Sequence, residues 1–242
     1  MFPAKLRPKL LPMLAGLGLY LFTTGVSYAA FNYLHTPPDI QYSTPVPEGG
    51  GLAIDPNEPK TEACPLNGEL FTKTESRVWE TRRPLAIMIE NHTEARPQSG
   101  VSSADVVYEA VAEGGITRFL ALFYCDAIDR DTTVGPVRSA RTYYLDWASE
   151  YGENPLYVHV GGANVPGPAN ALGQIQEYGW GGRNGNDLNQ FSIGFPTFWR
   201  DYERLGRTVA TEHTMYSTTE KLWAEAKKRG WIKSLKPNKR QQ

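Results

Sequence analysis

Cysteine is nearly missing from this chain: Cys64 and Cys125 are the pair in 242 residues. Two are too few for a disulfide framework or a four-cysteine zinc ribbon, though outside the cell they suffice for one bridge. One disulfide and two separate buried thiols both remain open at this stage. Histidine is also scarce, at four residues. A metal site built from His92, His159 and His213 with Glu113 has no HxxxH or HExxH spacing behind it, and no metal or other cofactor is expected. Positive charge is not in excess either: 25 Lys and Arg against 26 Asp and Glu give a formal net charge of −1. Such a chain has no global field to hold nucleic acid, and none is expected as a partner. Gly162 to Gly167 lacks the Lys-Ser/Thr of a phosphate-binding loop, and no GxSxG elbow surrounds Ser139.

One hydrophobic run stands out. Lys5, Arg7 and Lys9 precede Leu10 to Leu34, which contains no charged residue. About 20 apolar residues cross a bilayer as a helix, whereas a cleaved signal has a shorter core of roughly 7–15. Length favours an uncleaved anchor, with Ser27-Tyr28-Ala29 as the alternative cleavage site. The first charges after the run are Asp39, Glu48, Asp55 and Glu58. The positive-inside rule then leaves the N-terminus in the cytoplasm and the remainder outside. No lipobox cysteine ends the run. The expected organisation is a basic cytoplasmic tail at 1–9, a transmembrane anchor at 10–34 and a Pro/Gly-rich linker at 35–63. A globular domain at 64–232 and a basic tail at 233–242 follow. The expected location is the cell membrane, single-pass, with the globular domain extracytoplasmic.

Within that domain, Leu85 to Glu90 reads as a buried strand. Val106 to Glu113 and Ile116 to Tyr124, joined by Gly114-Gly115, read as a β-hairpin. A helix competes for the first arm, since Ala104, Val107, Tyr108 and Val111 also fit a helical stripe, but Val106-Val107 and the glycine pair favour the hairpin. A regular register sets Val111 opposite Arg118, with Glu109, Val111, Glu113 and Arg118 on one face. Tyr108, Ala110, Ala112, Phe119, Ala121 and Phe123 then share the core face. Ser139 is the expected N-cap of a helix carrying Tyr144, Trp147, Ala148 and Tyr151 on its apolar stripe, with Arg138 and Arg141 flanking its start. Leu156 to Val160 is a second strand, with His159 opposite Leu156 and Val158. A helix lies between Pro168 and Gly179, and Ser217 to Glu220 is a capping box for a last helix ending at Gly230. This order predicts an α/β or α+β domain: a mixed sheet with a Gly-Gly hairpin and helices packed on it, preceded by one N-terminal transmembrane helix.

The polar motifs predict a ligand pocket made by Glu109, Glu113, Arg118, Arg138, Ser139, Arg141, His159 and His213. Arginine forks recognise carboxylate or phosphate, a carboxylate serves as base, and histidine moves protons near neutral pH. The expected ligand is an anionic or glycan component of the envelope, such as a wall peptide or teichoic phosphate. The competing reading is a structural ion-pair network inside a protein-interaction module of unknown partners. Whether the domain does chemistry is left open, and Trp180, Trp199 and Phe198 are either sugar-stacking or core residues.

Five motifs occur in order: Arg96-Pro-Gln-Ser-Gly100, Ala104-Asp-Val-Val-Tyr-Glu109, Glu113-Gly-Gly-Ile-Thr-Arg118, Gly135-Pro-Val-Arg-Ser-Ala-Arg141 and Tyr157-Val-His-Val-Gly-Gly162. With Glu212-His-Thr-Met-Tyr216 they resemble the bacterial YerB-like lipoprotein family, over roughly Cys64 to Trp231. The resemblance implies an envelope protein with an α/β domain of unknown function. The resemblance also implies a lipid anchor, typical of that family, and a smaller C-terminal domain, which its members usually carry. This chain is expected to differ in its anchor, and it ends at Gln242.

Overall fold

The computed structural model describes residues 7–34, 55–128, 130–152 and 154–231. Most of the expected linker (35–54) and the basic tail at 233–242 lie outside the described residues. The chain divides into two units, 1–47 and 48–242, each described by itself.

The first unit contains helix α1 (Arg7–Leu34). Its Pro12–Ala30 stretch is long and apolar enough to cross a membrane. Nineteen residues at 1.5 Å each span about 28 Å, near the ~30 Å of a bilayer's hydrocarbon. Met13, Leu17, Tyr20 and Phe22 are all exposed, as on a helix that is apolar all round. The hydroxyls of Thr23 and Thr24 donate back to the carbonyls of Leu19 and Tyr20, so these polar groups are satisfied within the helix.

In the second unit, β1 (Lys60–Ala63) pairs antiparallel with β2 (Leu70–Thr72). The folded chain therefore begins within the stretch expected to be linker. Helix α2 (Lys73–Trp79) starts at a capping box: the Thr72 hydroxyl accepts from the Glu75 amide while the Glu75 carboxylate accepts from the Thr72 amide. Phe71, Val78 and Trp79 pack around Cys64 and Cys125, which form a disulfide. That decides between the bridge and the two thiols.

There follow β3 (Leu85–Glu90), β4 (Val106–Glu113), β5 (Ile116–Phe123), β6 (Thr133–Val134), α3 (Thr142–Ser149) and β7 (Leu156–His159). Then come α4 (Ala171–Glu177), β8 (Asp187–Asn189), α5 (Gln190–Ile193), β9 (Trp199–Arg200), β10 (Met215–Thr218) and α6 (Thr219–Lys228). The central mixed sheet has the order β4-β5-β3-β7-β8, and a second sheet has the order β6-β10-β9. The β3–β7 and β7–β8 pairs are parallel, and the β4–β5 and β3–β5 pairs antiparallel. Every residue of β3 is buried, because both faces of the sheet are covered. Ala86, Met88, Leu120, Leu122 and Tyr157 meet Tyr144, Leu145 and Ala148 of α3 and Ala171 and Ile175 of α4. Leu85, Ile87, Phe123 and Val158 meet Met215 of β10 and Leu222 and Trp223 of α6. Each Leu, Ile, Val, Met or Phe among these, removed from water, stabilises the fold by about 1.5–3 kcal/mol.

The β4–β5 pairing departs from the regular register. Glu113 pairs with Ile116 across Gly114 and Gly115, but Val111 pairs with Thr117 and Ala110 with Arg118, so a bulge sits at Ala112. Since one residue of slip exchanges the faces, Tyr108 and Ala110 join Leu120 and Leu122 against α3, whereas Phe119, Ala121 and Phe123 face α6. A regular register would have driven Glu109 into the position against Leu120. The bulge leaves Glu109 exposed on the opposite face from Arg118 and keeps Glu113 with Arg118.

Two helix starts also differ from expectation. Arg141, not Ser139, is the N-cap of α3, and it makes no side-chain cap. Residues 137–140 are instead tied between strands: Arg138 N donates to Met88 O at 2.8 Å and Ala140 N to Gly161 O at 2.9 Å. Arg138 therefore does not sit on a helix N-terminus. In α6 the cap is Thr218, whose hydroxyl accepts from Lys221 N, while the Ser217 hydroxyl donates to Thr197 O. Gly135 (φ 146°) is obligatory here, since a Cβ would lie 2.7 Å from the Tyr216 ring and 2.8 Å from Met215 O.

Candidate functional site

The carboxyl ends of β3 and β7 lie at one end of the central sheet, the usual place for ligands in sheets with parallel strands. There the apolar alternation of β3 stops: Glu90 follows Ala86 and Met88 on the α3 side and is 2% exposed. Its partner across the ladder is Arg118, 4% exposed. A buried carboxylate needs a partner. Arg138 supplies one, with Nε donating to Glu90 Oε2 at 2.5 Å, and the amides of Asn91 and His92 donate to Oε1. Burial alone would raise the Glu90 pKa. The Arg138 hydrogen bond and the charges of Arg138 and Arg118 outweigh it and hold the carboxyl below the usual range.

Arg118 donates to Ser139 O at 3.2 Å and lies 3.8 Å from Glu113, leaving its Nε buried without a partner. Arg141 pairs with the same Glu113 and donates to Ala140 O. Burial pulls both guanidiniums below their normal pKa, although arginine remains cationic at any physiological pH.

His92 caps a short 3₁₀ turn, its Nδ1 accepting from Glu94 N at 3.2 Å. His213 ends a second such turn ahead of β10. The two rings stack, with centroids 5.0 Å apart and planes 12° from parallel. His213 is 5% exposed, and its Nδ1 is buried without a hydrogen bond, 3.9 Å from Glu90 Oε2. Its Nε2 lies 3.9 Å from Glu94 Oε2. Burial lowers the His213 pKa more than the nearby Glu90 charge raises it.

These groups surround a cleft of about 360 Å³ lined by Glu90, His92, Glu94, Glu113, Arg118, Arg138, Glu212 and His213. Four carboxylates face two guanidiniums there, so the cleft is acidic. A neighbouring cleft of about 430 Å³ is lined by Arg138, Ser139, Gly161, Phe191, Arg200 and Thr211 among others. Arg138 and Glu212, 3.9 Å apart, belong to both walls. In the second cleft Phe191 is 75% exposed. It lies against Gly161, where a Cβ would meet its ring at 2.9 Å. Arg200 donates to Thr211 O and the Thr214 hydroxyl, neither of which cancels its charge.

Of the residues expected from sequence, Glu113, Arg118, Arg138 and His213 line the first cleft, and Arg138 and Ser139 the second. Three do not join them. Glu109 lies across the sheet, bonded to Asn91 and Thr117. Arg141 lines neither cleft and is occupied by Glu113. His159 is fully buried, with Nε2 2.5 Å from Asp187 Oδ1 and Nδ1 2.6 Å from Gly161 O. Sequence reasoning missed Glu90, Glu94, Glu212, Arg200 and Phe191. For Glu90 a signal existed, since a carboxylate ends an otherwise apolar strand. Trp180 and Phe198, weighed as sugar-stacking residues, are core residues at 2% exposure each.

The Bacillus subtilis (strain 168) protein named "Putative lipoprotein YerB" is 49% identical over 106 residues, which are 44% of this chain and 29% of that protein. The crystal structure of the YerB protein from Bacillus subtilis superposes with a TM-score of 0.54 at 33% identity, covering 71% of this chain and 51% of that one. The chain thus spans about half or less of the relatives it matches. Residues 68–232 match the N-terminal domain of the protein family of unknown function DUF3048, and the chain belongs to that family.

Proposed function

We propose that this is a membrane-anchored envelope protein whose second cleft receives an anionic or glycan component of the envelope. The observation that carries the reading is the pairing of Arg200, whose charge no carboxylate takes up among the described residues, with the exposed ring of Phe191 across one cleft. A guanidinium binds carboxylate or phosphate, and an aromatic face stacks on a sugar. Ser139 and Thr211 add hydroxyls to the same walls. The acidic first cleft repels anions, which moves the expected ligand away from Glu113, Arg118 and His213 and onto Arg138 and Ser139.

The test is calorimetric titration of the full chain in detergent with a muropeptide and with a glycerol-phosphate oligomer, using a neutral chitin oligosaccharide as the charge control. Binding of at least one anionic probe is expected, weakened by salt and at least about tenfold by Arg200→Ala or Phe191→Ala. Equal affinities in the variants, or no binding by any probe, would overturn the reading. The alternative, a protein-interaction module, draws support from Arg118 and Arg141, whose charges are already engaged by Glu113.

A further inference from the structure

The acidic cleft contains an arrangement that the anion reading does not use. Glu94 and the two stacked histidines each bring a donor atom to one place, all within 4.8 Å of one another. His213 is unusual among them. It is 5% exposed, yet neither ring nitrogen makes a hydrogen bond among the described residues. Its Nδ1, buried without a hydrogen bond, costs stability unless the ring is drawn onto an acceptor. Its Nε2 faces Glu94 in the cleft, and its Nδ1 faces Glu90 behind.

We propose that His92, Glu94 and His213 form a site for a divalent transition metal of the zinc type, with Glu90 orienting His213 from behind. Two imidazoles and a carboxylate suit zinc, cobalt or nickel, while calcium and magnesium require oxygen donors. Metal-bound histidines usually donate their second ring N–H to a carboxylate, which fixes the tautomer. Glu90 stands where that acceptor is needed, itself held by Arg138 and two backbone amides. Zinc bonds of ~2.0–2.1 Å set neighbouring ligand atoms about 3.3 Å apart. The 3.9 Å between His213 Nε2 and Glu94 Oε2 then has to close by about half an ångström. Glu94 can supply that movement, because its side chain is 53% exposed on a short turn. The two rings stand 12° from parallel, and stacked rings cannot both aim an in-plane lone pair at one ion, so the His92 ring has to turn out of the stack on binding. Three protein donors leave a fourth position open toward the cleft. The other cluster of metal-binding residue types, Cys64, Asp105 and Cys125, has its sulfurs tied in the disulfide and offers no thiolate.

This inference does not rest on the ligand reading, and its test measures the ion alone. The full chain in detergent, without reductant so that the disulfide persists, is stripped with chelator and titrated with Zn²⁺ by calorimetry. A parallel titration with Co²⁺ follows visible absorption. The expected result is one ion per chain with intense d–d bands. Glu94→Gln, at a half-exposed position that does not endanger the fold, should weaken binding at least tenfold, and His213→Gln should do the same. Glu90→Gln should keep the stoichiometry and lose about tenfold in affinity. The idea fails if no ion binds, if Ca²⁺ or Mg²⁺ binds more tightly than Zn²⁺, or if Glu94→Gln and His213→Gln bind as the parent does. It fails equally if binding disappears with His35→Ala, the remaining histidine.

Discussion

Glu90 shows how a single residue sets the character of the cleft. It is buried, and its charge is supported chiefly by Arg138 and secondarily by Arg118. Removing one member of a buried pair leaves an uncompensated charge, which costs about 3 kcal/mol or more. Arg138→Met is therefore expected to lower the melting midpoint by about 6–12 °C for a domain of this size. The Glu90→Gln, Arg138→Met double variant should recover most of that loss. Acid titration provides a check on sign. A carboxyl held below its ordinary value of 4.5 contributes stability that is complete above that pH and lost as pH falls through the lower folded value. This part of the acid sensitivity should vanish in Arg138→Met. An unchanged midpoint in the single variant would mean that Arg138 is not a structural counter-ion.

At the scale of elements, the disulfide and the bulge each fix a feature of the unit that apolar packing alone does not specify. Cys64 and Cys125 are 61 residues apart in sequence, so the bridge ties the segment after β1 to the end of β5. Constraining a loop of that length in the unfolded chain is worth about 4 kcal/mol on the chain-entropy estimate. A Cys64→Ser, Cys125→Ser variant, or the parent in strong reductant, should melt about 8–16 °C lower while keeping its far-ultraviolet dichroism. A midpoint within a degree of the oxidised protein would show that packing of Phe71, Val78 and Trp79 holds this segment without the bridge. The Ala112 bulge matters differently, because it decides which residues of β4 meet α3 and which carboxylate meets Arg118.

For the whole molecule, the proposed anchor is α1, and its length and apolar composition are the grounds for it. The cations of the first nine residues come before the apolar run, and the first charges after it are acidic. Proteinase added to intact spheroplasts should remove the globular part and leave a protected fragment of only a few kilodaltons. Full protection of the globular part would reverse the proposed orientation, and release into the culture medium would indicate cleavage near Ser27-Tyr28-Ala29.

Sequence alone determined what depends on short stretches of chain: the apolar helix from its uncharged run, β3 and β7 from their apolar residues, and family membership from ordered motifs. Arg138, Ser139, Glu113, Arg118 and His213 could be nominated because charged and hydroxyl groups stood out among apolar neighbours. The tertiary structure decided what depends on register and on distant partners. One bulged residue moved Glu109 to the other face of the sheet, and the alternating pattern of β4 does not reveal a bulge that sets Tyr108 and Ala110 against α3. His92 and His213 come from turns far apart in the chain, and only the packing of β10 beneath the central sheet stacks their rings. His159 looked like a site residue from its place at a strand end, but the fold buried it against Asp187. A polar side chain's type is written in the sequence, while whether it meets solvent, a counter-ion or another ring is set by the tertiary contacts that surround it.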